Sequence, residues 1–120
     1  MNYDTLNLAG GIIFGLYFVY NGWQHFKERQ SYTAYAASKK IPMPGLGVFV
    51  SGVCIFLGGL GVTFGYRMTE SLILIIIFLV PVTIFMHNFW SDTDAGARAN
   101  NKVAFLKNAA LLGAALMLLS

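Results

Sequence analysis

Asn21, Gln24 and His25 close one long apolar stretch of this chain, His87 and Asn88 close another, and Lys107 and Asn108 stand near the start of a third. Polar groups set in apolar sequence are costly unless they face a protein interior or a watery cavity. The two imidazoles titrate near neutral pH, so they can pass protons or hydrogen-bond a quinone carbonyl. The same rings can equally rest in a plain hydrogen bond at a headgroup boundary. Lys107 also has two readings. Its long stem can carry the ammonium back to a membrane surface, or it can line a pocket with the asparagines. Two histidines on separate helices match axial haem ligation in number, but nothing else supports haem. For a metal, His25 and His87 are the nitrogen donors in view, and no nearby cysteine or carboxylate pair completes a shell, so none is expected. The candidate site is therefore a polar pocket made by Asn21, His25, His87, Asn88, Lys107 and Asn108, with no catalytic group assigned.

What must position these groups is a set of membrane helices. The chain is 57% hydrophobic and 11% charged over 120 residues, too apolar to cover a soluble core of that size with polar surface. Its charges fall in the gaps between uncharged stretches, each close to the roughly 20 residues needed to cross a ~30 Å hydrocarbon slab. The resulting expectation is an all-α, four-transmembrane-helix bundle forming a single membrane domain over 1–120. Its helices are expected at about 6–26, 44–66, 70–89 and 103–119. The first stretch is read as a retained helix, because Asp4 stands where a signal peptide would carry basic charge. Ser31 to Lys40 suits either a short interfacial helix, with Tyr32, Tyr35 and Ala36 on one side, or an ordinary loop. Pro42 and Pro44 break the chain before the second span, and Pro81 should disturb the third by removing the donor for the Ile77 carbonyl.

Small residues suggest how the spans meet. Gly11 and Gly15 form a small-x-x-x-small step, the second span is glycine-rich, and Ala110, Gly113 and Ala114 mark the fourth. Such surfaces let backbones approach where no hydrophobic force drives helices together. Trp23, Trp90, Tyr20 and Phe89 suit an interfacial aromatic belt. The lone Cys54 excludes an internal disulfide, and no nucleophile elbow, phosphate-binding loop or zinc-protease helix is present. The basic residues form no patch with interleaved aromatics, so nucleic acid is not an expected partner.

The order of these features resembles the DoxX family of small four-helix membrane proteins. The resemblance rests on Tyr20-Asn21-Gly22-Trp23-Gln24-His25-Phe26, Ile41-Pro42-Met43-Pro44, Phe56-Leu57-Gly58-Gly59-Leu60-Gly61, Met86-His87-Asn88-Phe89-Trp90 and Phe105 to Gly113. Many members carry a lysine after the glycine ending the first helix, where this chain has Gln24 and His25. The resemblance implies a membrane subunit of a redox, quinone-linked complex, acting as anchor or partner subunit. Some relatives are subunits of thiosulfate:quinone oxidoreductase and others associate with thiol redox complexes. Related four-helix proteins act as chaperones or trafficking factors, so the alternative is a non-catalytic assembly or scaffold protein. Whether the chain is itself an enzyme stays open. Quinone is the cofactor that this resemblance suggests, and the expected partners are lipid with other membrane subunits or further copies of the chain. The expected location is the cell membrane.

Lys27, Arg29, Lys39 and Lys40 lie in the first connection, Arg67 in the second, and Arg98 and Lys102 in the third. Basic loops stay cytoplasmic, which puts both termini on the external side. Single cysteines at Lys39 and Arg98 should therefore resist an impermeant external thiol reagent, while those at Asn2 and Ser120 should react. The reverse pattern would invert the topology.

Overall fold

The computed structural model describes residues 3–120, so Asn2 lies outside the described residues. The chain is all-α, with helices α1 (Tyr3–Lys27), α2 (Arg29–Ser38), α3 (Pro44–Phe64), α4 (Met68–Met86) and α5 (Ala95–Leu119), and a 3-10 turn at Phe89–Ser91. Pro44–Phe64, Met68–Ser91 and Ala95–Leu119 are long and apolar enough to cross a membrane. α1 has the length, but Asn7, Tyr17, Tyr20 and Asn21 interrupt its apolar surface. The longest dimension is 47 Å, against roughly 40–45 Å for a bilayer with its headgroups.

Local chemistry explains most boundaries. A helical elbow at Glu28 separates α1 from α2, which turns to lie against the start of α3. The segment read as helix or loop is thus a helix, presenting Tyr32, Thr33, Ala36 and Lys39 inward at helical spacing. Lys40 and Met43 take left-handed backbone on either side of Ile41-Pro42, and Pro44 then opens α3. α3 ends on Gly65 at φ 68°, with the Tyr66 amide bonded to the Gly61 carbonyl at 2.8 Å. That left-handed cap suits glycine and satisfies the last carbonyls of the helix. α4 runs through Pro81 as one helix.

The fourth long helix departs from expectation. α5 begins at Ala95, not near 103, because the Asp94 carboxylate accepts the Ala97 amide at 2.8 Å and caps its first turn. Arg98 and Lys102 consequently belong to the helix, not to a loop. Polar composition hid this start, although the alanines and basic residues of Ala95–Lys102 are good helix formers.

Buried Phe14 and Phe18 of α1, Ile55 and Val62 of α3, Leu72, Ile75 and Leu79 of α4, and Ala115 of α5 make the core. α3 is central, packing against both α1 and α4, while α5 packs on α4. Where α3 crosses α1, a side chain added at Gly15 would come 2.7 Å from the Gly59 carbonyl, and one at Gly59 would come 2.7 Å from the Gly15 carbonyl. Where it meets α4, Gly61 faces Ser71, whose hydroxyl donates to the Tyr66 carbonyl at 3.1 Å.

Three of the expected small residues make no close helix contact. A side chain added at Gly11 or Gly113 would meet nothing within 4 Å, and Ala110 is exposed. Helix rotation directs Ala110 and Gly113 away from the other helices, Gly11 is buried without a close neighbour, and Ala114 packs on the core beside buried Ala115 as expected.

Replacing Gly59 or Gly61 by leucine should wedge neighbouring backbones apart and destabilise the bundle by about 1–3 kcal/mol, the usual cost of overpacking. Gly113→Leu and Ile77→Leu, which change open, exposed positions, should melt in detergent within about 1 °C of the parent chain, a shift far below 1 kcal/mol. Equal losses at all four sites would show that the crossings do not depend on missing side chains.

Candidate functional site

At the end of the bundle where α1 stops and α5 starts, all five helices surround a cavity of about 730 Å³. That is within the range of about 300–1,000 Å³ common for small-molecule sites. α1 contributes Asn21 and His25, α2 covers one side with Tyr32 and Tyr35, and α3 supplies Ser51. α4 lends an apolar wall containing Phe78, Val82 and Phe85. His87 follows α4, and Asn101, Lys107 and Asn108 enter from α5.

His25 Nδ1 lies 3.1 Å from the Val48 carbonyl and 3.2 Å from the Ser51 hydroxyl. A carbonyl only accepts, so this bond places the proton on Nδ1 and leaves Nε2 as an acceptor in the neutral ring. The imidazole is held edge-on to Tyr32 and Phe78, with ring centroids 4.8 and 5.7 Å away. Burial raises the Tyr32 hydroxyl's pKa, and the Glu28 carboxylate adds to the effect, keeping that hydroxyl a proton donor.

The second imidazole is oriented by a longer relay. Asn101 Nδ2 donates to Asp92 Oδ2 at 2.7 Å, which fixes the amide and turns Oδ1 into the acceptor. That oxygen faces His87 Nδ1 at 3.3 Å and the Tyr35 hydroxyl at 3.1 Å. The Tyr35 hydroxyl also reaches the Met86 carbonyl at 3.0 Å, so its one proton is shared. The neutral His87 ring again carries its proton on Nδ1.

Alongside this relay, Lys39 donates to Asn88 Oδ1 at 3.0 Å and pairs with Asp92 Oδ1 at 3.7 Å, both ion-pair side chains being 16% exposed. These contacts strap α2 across the turn between α4 and α5. Lys107 sits just over three turns into α5, about 18 Å from its start at 1.5 Å per residue. Its ammonium lies 5.6 Å from the Tyr17 ring, across the bundle on α1.

The structure therefore brings Asn21, His25, His87, Lys107 and Asn108 to one cavity. Asn88 is outside its lining and serves the Lys39 strap. Sequence reasoning missed Tyr32, Tyr35, Ser51 and Asn101 as lining groups, and Asp92 as the carboxylate behind them. A signal existed for Asn101: it precedes Asn108 and Ala115 at successive seven-residue steps, which share one helix face. Tyr20, Trp23 and Trp90 are exposed at this same end, while Phe89 is half-buried against Trp90 and Phe105.

These features define a helical membrane protein with a largely apolar cavity, carrying a few polar groups, inside one end of its bundle. A family model described as DoxX matches residues 6–88, and the chain belongs to that family. The matched segment includes Asn21, His25, His87 and Asn88 and stops before α5, so Asn101, Lys107 and Asn108 lie beyond it. No curated protein and no solved structure matches the chain.

Lys39→Met should leave Asp92 and Asn88 without their cation and loosen α2. Hydrogen exchange should rise in α2 while the α1 and α3 cores stay protected, with a stability loss of about 1–3 kcal/mol for the stranded polar groups. Unchanged exchange in α2 would remove the strap's structural role.

Proposed function

We propose that this chain is a four-span integral membrane subunit of a quinone-linked redox complex in the cell membrane. In this reading α1 completes the four spans, both termini are external, and the cavity faces the cytoplasmic side. The chain anchors a partner and brings a membrane-soluble reactant close to it. The observation that carries the proposal is the cavity itself, in which two oriented imidazoles from opposite sides of the bundle each retain an unengaged Nε2. Such nitrogens can accept protons released when a reduced carrier is oxidised nearby. Membership of the DoxX family supports the redox setting through what the resemblance implies about other members.

A scaffold reading has its own support. Ala109, Ala110 and Gly113 are exposed on α5, and no other helix of the chain covers them. Small-residue faces of this kind can receive a helix from another subunit.

Gentle solubilisation followed by partner identification, visible spectroscopy and quinone extraction separates the two readings. The redox reading expects stoichiometric oxidoreductase partners with quinone in the extract. It also expects His87→Ala to lower the complex's turnover at least about tenfold while the folded subunit remains at normal abundance, within the range usual for proton-transfer groups. Unchanged turnover, or colourless quinone-free assemblies lacking redox partners, would favour the scaffold.

A further inference from the structure

The charge inventory of the cavity is unbalanced. Lys107 brings an ammonium to the lining, and no aspartate or glutamate lines it. The nearest acidic group in the surrounding network, Asp92, is already paired with Lys39. Lys107 has the Tyr17 ring beside it and no ion-pair partner among the described residues. Lys107 is itself exposed while lining the cavity, so its ammonium is accessible there, and an anionic ligand would supply the counter-ion it lacks.

Asn108 provides a second, independent observation. It is 6% exposed and lines the same cavity as Lys107. Its carboxamide makes no hydrogen bond to another described residue, and its polar atoms are open to the cavity it lines. Its Nδ2 can donate to an oxyanion beside the ammonium. The wall opposite is hydrocarbon and aromatic, running through Phe78, Val82 and Phe85. Phe85 is 58% exposed as well as cavity-lining, so it stands at a rim that opens sideways from the bundle.

We propose that the cavity binds a single-chain amphiphile with an anionic head of the long-chain carboxylate type. Lys107 and Asn108 hold the carboxylate, and the α4 wall packs against the tail. This ligand assignment goes beyond the redox reading and does not depend on it, because binding is measured on the isolated subunit without partner or turnover.

The test uses the full chain in phosphatidylcholine nanodiscs, titrated with palmitate, hexadecanol, acetate and a short-chain ubiquinone. Palmitate should bind at least about tenfold tighter than hexadecanol, a discrimination of the size one charge contact supplies. Acetate should compete poorly, since it lacks the tail. Lys107→Met should abolish the preference for the acid and Lys107→Arg should retain it. Asn108→Leu should weaken palmitate binding more than hexadecanol binding. Equal affinity for the acid and the alcohol in the parent chain would overturn the proposal, and that comparison stands even if a variant fails to fold. Competition by acetate as strong as by palmitate, or ubiquinone binding tighter than palmitate and unaffected by Lys107→Met, would overturn it as well.

Discussion

Backbone contact through α3 is the constraint on which the rest of this molecule depends. In lipid, apolar side chains gain little by leaving one hydrocarbon surface for another, so helices associate through close packing and hydrogen bonds. Gly15 and Gly59 let α1 and α3 touch main chain to main chain, and Gly61 seats the Ser71 side chain of α4. With α3 held from both sides, the half of the bundle containing Phe14, Val62, Leu72 and Ala115 closes around a dense core. At the other end, large side chains replace that intimacy. The Phe26 ring packs 5.9 Å from Phe49 and 6.2 Å from Phe56, and His25 fills the space beside Gly52.

A cavity follows from that change in packing, and the polar network keeps it organised. α2 covers one side but is only ten residues long, too short to be stable without tertiary contacts. Its position comes from buried Ala36, from the Tyr35 bonds and from the Lys39 contacts to Asn88 and Asp92. Asp92 has two tasks, pairing with Lys39 through one oxygen and orienting Asn101 through the other. Through Asn101, the same carboxylate sets the proton position on His87. Cover and site chemistry are thereby coupled by a few side chains at the α4 to α5 turn.

The presence of an accessible lysine and an asparagine without a protein partner on one lining gives the cavity a character distinct from a generic apolar pocket. Lys107 turns toward Tyr17 across the bundle, which a purely interfacial lysine would have no reason to do. The tyrosine face attracts the ammonium, a contact of about 0.5–1 kcal/mol at an exposed site. It supplies no hydrogen-bond acceptor for the remaining protons. The cavity thus combines a donor-rich spot with apolar walls, a combination suited to an amphiphilic ligand.

Membrane character, helical class and the gathering of polar groups were legible in the residues because each is a property of order along the chain. Uncharged stretches of spanning length separated by short connections force antiparallel neighbours, so His25, His87 and Lys107 come toward one end wherever the helices pack. The start of α5 was obscured because a capped polar helix and a polar loop share a composition, and the Asp94 cap is decided by local geometry. Rotation of each helix about its axis was not legible either. It determines that Gly15 sits at a crossing while Gly11 does not, that Asn101 joins the site, and that Asn88 serves the strap. Sequence spacing fixes which residues share a face, but only the mutual fit of neighbouring helices selects the face that turns inward. The tertiary structure therefore decided which polar groups meet, which remain unpaired and what shape of space they enclose.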